Sequence, residues 1–111
     1  MSRIYHLVRS ADWDAAADAY HGSAEDTRDG FLHFSTAAQI IDSASKHRRG
    51  ERDLLLIAVD GDQLGDALKW EASRGGQLFP HLYGPLPLTA VAWTRPLPLG
   101  DDGLHQFPVL D

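Results

Sequence analysis

Four titratable side chains stand where strands would hold them half-buried: His6 in "RIYHLVR", His33 in "FLHFS", Glu71 in "KWEA" and His81 in "FPHLYGPLP". An imidazole titrates near neutral pH and needs partners at both nitrogens, so several on apolar strands point to a shared polar pocket. In such a pocket His6, Glu71 and His81 are candidates for general acid–base catalysis. His33, Ser35, Thr36 and Tyr83 are candidates for holding a ligand. Ser35 and Thr36 sit where a strand gives way to a helix, and the N–H groups of that first turn can hold a phosphate or other anion. Both hydroxyls could equally serve only as caps.

Two other readings of the same residues stay open. Imidazoles with a carboxylate suit zinc or divalent iron, which makes His6, His33, His81 and Glu71 an alternative metal site, although no spacing along the chain joins them. Taken singly, each strand histidine is more simply one that is hydrogen-bonded in place, with Glu71 on a solvated strand face. There is no Gly-rich phosphate loop, G-x-S-x-G elbow or His-Glu-x-x-His helix. Any chemistry must therefore come from scattered residues that the fold gathers.

The whole chain sets the bounds. Its 111 residues suffice for a single domain, 1–111, with one core. Ten basic against 16 acidic residues leave a net charge of −6, which argues against nonspecific nucleic-acid binding. Cysteine is absent, which removes thiolate chemistry and disulfides. No apolar run approaches a membrane span or a signal peptide, so a cytoplasmic location is expected.

The elements follow from periodicity. Residues 3–9 alternate as a strand. Ser10 reads as an N-cap for a helix in which Trp13, Ala16, Ala17 and Tyr20 share a face. A polar loop follows, ending in a turn at Asp29-Gly30. Residues 31–35 form a second strand, and Thr36 with Gln39 has capping-box spacing for a second main helix. Its basic end, "KHRRGER", reads as a solvated helix terminus. "DLLLIAVD" is the natural central strand, "KWEA" an extended segment, "SRGGQ" a turn, 88–97 a further strand and "GLHQFPVL" a last edge strand. This order predicts an α+β fold, with mixed or antiparallel sheets and two main helices packed on them.

Taken in order, "IYHLV", "GFLHFST", "DLLLIAVD", "KWEA" and "FPHLYGPLPLTAV" resemble the domain-of-unknown-function 952 family over nearly the whole chain. The resemblance implies an ADP-ribosyltransferase-like fold, in which two small sheets clasp nicotinamide adenine dinucleotide (NAD), and a layout similar to the catalytic half of tRNA 2′-phosphotransferases. It implies an NAD, ADP-ribose or other phosphorylated nucleotide ligand, acted on by a transferase or hydrolase. His6 then matches the first-strand histidine or arginine that holds the nicotinamide ribose or the adenylate side, and Ser35 and Thr36 match the second-strand Ser/Thr motif. The transferase glutamate falls near "PHLYG", where this chain has no carboxylate and offers His81 and Tyr83. Glu71 fills that role only if the intervening loop folds back. Without it, the resemblance implies a binding module that has lost the chemistry.

Overall fold

A computed structural model describes residues 3–110. Its framework is a three-stranded antiparallel sheet in the order β1-β4-β8, built from β1 (Arg3–Arg9), β4 (Leu54–Asp60) and β8 (Val91–Pro96). "DLLLIAVD" takes the centre because both of its faces are apolar. Ile57 and Val59 pack on one side with Ile4, Val8 and Phe34, while Leu54, Leu56 and Ala58 pack on the other with Tyr5 and Ile40. Each Leu, Ile, Val or Phe among them contributes about 1.5–3 kcal/mol when fully buried.

A second antiparallel sheet has the order β3-β6-β5, from β3 (Leu32–His33), β5 (Leu68–Ala72) and β6 (Leu78–Leu82). The two sheets are stitched at one point. Tyr5 N–H donates to the Ser35 carbonyl at 2.8 Å, and Ser35 N–H returns the bond at 2.9 Å. The segment "LHFS" thus leaves β6 after His33 and crosses to the outer edge of β1. A minor ladder pairs β2 (Ala19–Tyr20) with β7 (Leu86–Pro87). All named pairs are antiparallel, and the architecture is α+β.

The helices differ from the sequence expectation in a way that matters for the site. The first ends early: α1 spans only Ser10–Asp14, and Tyr20 enters the core on β2. Tyr20 still meets Trp13, at 5.2 Å between ring centroids, but from a strand. Tertiary burial of the phenol ring has overridden the helical spacing. Ser10 is not the cap, and its N–H and hydroxyl both donate to the Asp53 carbonyl. The stretch read as a polar loop contains α2 (Ala24–Asp29), opened by a Ser23–Asp26 capping box and closed by Gly30. The third helix, α3 (Ala37–His47), begins with the expected Thr36–Gln39 box and is the long helix of the fold.

One further expectation is corrected. Residues 103–110 form no strand, only an isolated bridge from His105 to Leu99. Residues 79–82 of "FPHLYGPLP" run between β3 and β5. Pro80 is tolerated there since it contributes only its carbonyl, to Phe34 N–H, where the chain is already leaving for β1. Among the described residues no helix is long and apolar enough to cross a membrane.

Gly22, which leads into α2, has φ +100°, and a Cβ there would stand 2.6 Å from Leu32 Cδ2 and 2.8 Å from Asp26 Cβ. Gly22→Ala is expected to cost about 1–2 kcal/mol, from left-handed strain and the crowding of Asp26. At Gly30, also at positive φ, a Cβ meets nothing within 4 Å. Denaturant unfolding of the two alanine variants should rank Gly22→Ala as the more damaging, and equal midpoints would refute the steric account.

Candidate functional site

The seam between the two sheets opens into a cleft of about 260 Å³, at the exposed edge of β1 and under α3. Its walls include His6, His33, Ser35 and His81, four of the residues singled out in the sequence. Alternation along β1 turns His6 to the side of Ile4 and Val8, and the Tyr5–Ser35 stitch brings Ser35 beside it. Cross-strand pairing of His33 with His81 places those imidazoles edge to face, 5.9 Å apart. Phe31 lies against both rings, at 4.6 Å and 4.1 Å, and holds them together.

Asp26 organises the floor. It is 5% exposed, and its Oδ2 accepts from Ser23 N–H and hydroxyl at 2.9 Å each. Oδ1 accepts from His33 N–H at 3.2 Å and from His33 Nδ1 at 2.7 Å. Burial disfavours the carboxylate, but the His33 bond, the nearby His6 and the Ser23 bonds outweigh it and hold the carboxyl well below its usual range. His33 Nε2 lies 3.0 Å from Asp29 Oδ2. Its bond to Asp26 and the charges around it raise the His33 pKa despite partial burial. With a carboxylate at each nitrogen, His33 is favoured in its protonated form and serves to fix the floor.

His6 is the opposite case. Its Nδ1–H donates to the His33 carbonyl. Burial lowers its pKa, with Asp26 only partly countering that, so the ring is neutral at pH 7. Nε2 then carries a lone pair. It is buried, has no hydrogen-bond partner and stands 3.9 Å from Asp26 Oδ2. A buried acceptor with no donor is costly to leave unmade, and here it sits on the wall of a cleft.

Glu71, Tyr83 and Thr36 do not line the cleft. The β5–β6 hairpin does fold Glu71 back, so that its Oε1 accepts from His81 Nδ1 at 2.8 Å and from the Tyr83 hydroxyl at 2.7 Å. Those two bonds lower the Glu71 pKa and raise that of the Tyr83 phenol. Glu71 therefore orients His81 from behind, through Nδ1. Thr36 caps α3, and Gln39 of the same box also donates to the Leu78 carbonyl. The helix N-terminus is thus occupied internally and does not supply the anion site expected of Ser35 and Thr36. Ser35 instead lies 3.1 Å from the Ser43 hydroxyl. Among the described residues no group of three or more His, Asp or Glu side chains is disposed to hold a metal ion.

Glu71→Gln gives a direct check on this relay. Tyr83 is the exposed tyrosine, whereas Tyr5 and Tyr20 are buried. Removing the carboxylate should let the first phenol titrate at lower pH, read by tyrosinate absorbance. A titration curve unmoved by the substitution would contradict the Tyr83–Glu71 bond.

Sequence reasoning missed Asp26, Ser43 and Arg48, all on the cleft wall. The one available signal for Asp26 was its capping-box spacing from Ser23.

Relatives exist for nearly all of this architecture. A family model described as protein of unknown function (DUF952) matches residues 7–94. The crystal structure of protein CC0527 from Caulobacter crescentus is 46% identical, with a TM-score of 0.91 over 95% of this chain and 94% of that one. Its solution NMR structure gives a TM-score of 0.84 at 46% identity, covering 96% and 93%. No curated protein matches the chain.

Proposed function

The chain belongs to the DUF952 family, and from that premise we propose that its cleft is ADP-ribosyltransferase-like and binds a phosphorylated nucleotide-type ligand such as ADP-ribose or NAD. The observation that carries this reading is the convergence of His6, His33, Ser35 and His81 on one cleft at the seam of two sheets. The unpartnered His6 Nε2 supports it further, as a neutral acceptor for a ribose hydroxyl. In a transfer or hydrolysis at the ribose, His81 is the general base. Glu71 keeps its proton on Nδ1, and Nε2 takes the proton of the attacking water or hydroxyl as the new C–O bond forms and the leaving group departs. Phe31 and Tyr83 stack beside His81, their rings 5.3 Å apart.

A second reading is favoured by one observation: Glu71 stands behind His81 and not on the cleft wall. With that glutamate off the cleft wall, the cleft would bind its ligand without turning it over.

Calorimetric titration with ADP-ribose, NAD and nucleoside monophosphates tests both. Saturable binding that weakens several-fold in His6→Ala is expected. Loss of turnover in His81→Ala with affinity retained supports the enzyme, and binding without turnover by the wild type supports the module. Failure of every nucleotide to bind would overturn both.

A further inference from the structure

The cleft is polarised, and the polarity narrows its ligand. On α3, Ile40, Ser43 and His47 share one face by helical spacing and line the cleft, and Arg48 closes that end. Arg48 is 19% exposed, and its Nη1 donates to Glu51 Oε1 at 3.1 Å. The same carboxylate oxygen also accepts from Arg9 Nε at 3.4 Å. Two guanidiniums therefore share one carboxylate at the α3 end, while the other acidic residues of the cleft, Glu25 and Asp26, belong to α2. Arg48 opposes protonation of His6 across the cleft. The Ser35–Ser43 hydroxyl pair lies on the same wall. At the other end stand two acceptors side by side, His6 Nε2 and Asp26 Oδ2, 3.9 Å apart. A fitting molecule carries an anion at one end and O–H or N–H donors at the other. Its size is bounded too, because about 260 Å³ is just under the roughly 300–1,000 Å³ of sites that enclose drug-sized ligands.

We infer that the enclosed part of the ligand is a single sugar phosphate, with its phosphate against Arg48 and the Ser35–Ser43 hydroxyls and its sugar hydroxyls on His6 Nε2 and Asp26. This rests on the nucleotide-type reading and deepens it. The phosphate is gripped by the guanidinium of Arg48, a residue outside the two strand motifs. Any second nucleotide half of a larger ligand lies outside the cleft.

The test compares ribose 5-phosphate, ribose and ADP-ribose by calorimetry on the wild type, Arg48→Gln and Arg48→Lys, with thermal unfolding of each variant. Ribose 5-phosphate should bind the wild type better than ribose does, with an affinity that falls as salt rises. Arg48→Gln should weaken it by about tenfold to a hundredfold, the value of a charged hydrogen bond, and Arg48→Lys by less. Ribose 5-phosphate binding equally to wild type and Arg48→Gln overturns the inference and leaves the nucleotide reading intact. So does binding of ADP-ribose without ribose 5-phosphate. Should Arg48→Gln fail to fold, the salt titration of the wild type decides, and an affinity indifferent to salt overturns the phosphate site. No binding by any probe overturns both readings.

Discussion

Asp26→Ala is expected to lower folding stability by about 3–5 kcal/mol, the cost of breaking a buried charge network by removing one partner. The residue accepts four hydrogen bonds, two from Ser23 and two from His33, from a position that is 5% exposed. Alanine would leave the Ser23 and His33 donors facing a void and His33 with only the more exposed Asp29 as counter-charge. It would also release the start of α2 and the turn into β3, because the same carboxylate spans both. In a chain of this size a fall in Tm of more than about 10 °C follows. Asp26→Asn keeps the shape and one acceptor oxygen, so it should cost less while dropping the His33 pKa. Thermal unfolding of the two variants checks the account, and an Asp26→Ala protein melting with the wild type would refute it.

Stability should also depend on pH on both sides of a maximum, with a swing of about 2–3 kcal/mol on the acid side. The Asp26 pKa lies below its ordinary 3.8, so its contribution is complete above that value and is lost as pH falls below it. The His6 pKa is lowered from 6.5 by burial, so the unfolded chain takes up a proton that the folded one refuses, and stability declines from about pH 6.5 downward. The His33 pKa is raised above 6.5, and its contribution is complete below that value and fades as pH rises through the folded pKa. The maximum therefore falls near neutrality, between the acid decline set by His6 and the alkaline decline set by His33. His33→Gln should remove the decline just above neutrality, leaving the His6 part of the acid arm and a separate decline above about pH 10 from Tyr20 and Tyr83, whose phenol pKa values the fold raises. Urea unfolding across pH reads these arms separately. A decline just above neutrality that persists in His33→Gln would mean that another group carries it.

Much of this was legible before any coordinates. The alternation in "RIYHLVR" and "DLLLIAVD" specifies strands because side chains two apart share a face, and Thr36-x-x-Gln39 specifies a helix start by satisfying its own orphan groups. His6, Ser35 and His81 could be suspected because polar tips inside apolar strands demand partners. Asp26 could not be found in the same way. It lies in a segment of polar residues whose composition reads as loop, and its burial comes from Gly22 letting the chain pass close to Leu32. Tyr20 was misplaced because helical spacing is a local signal, whereas its ring is buried against His6 and Trp13 from another element. Arg48 was read as a solvated helix end, since only the packing of α3 over β1 turns that end toward the cleft. The Glu71 relay depends on the register of β5 against β6, which pairs Lys69 with His81 and Glu71 with Phe79 and so brings the carboxylate to the diagonal imidazole.

The central claim is that this cleft, and no other surface, receives a phosphorylated nucleotide-type ligand. Six histidines make it directly measurable, because His6, His33, His47 and His81 line the cleft while His21 and His105 lie elsewhere. Imidazole NMR signals followed through a titration with ADP-ribose should show saturable shifts in the four cleft histidines and none in His21 and His105. Unmoved signals from the four, or shifts confined to His21 and His105, would contradict it.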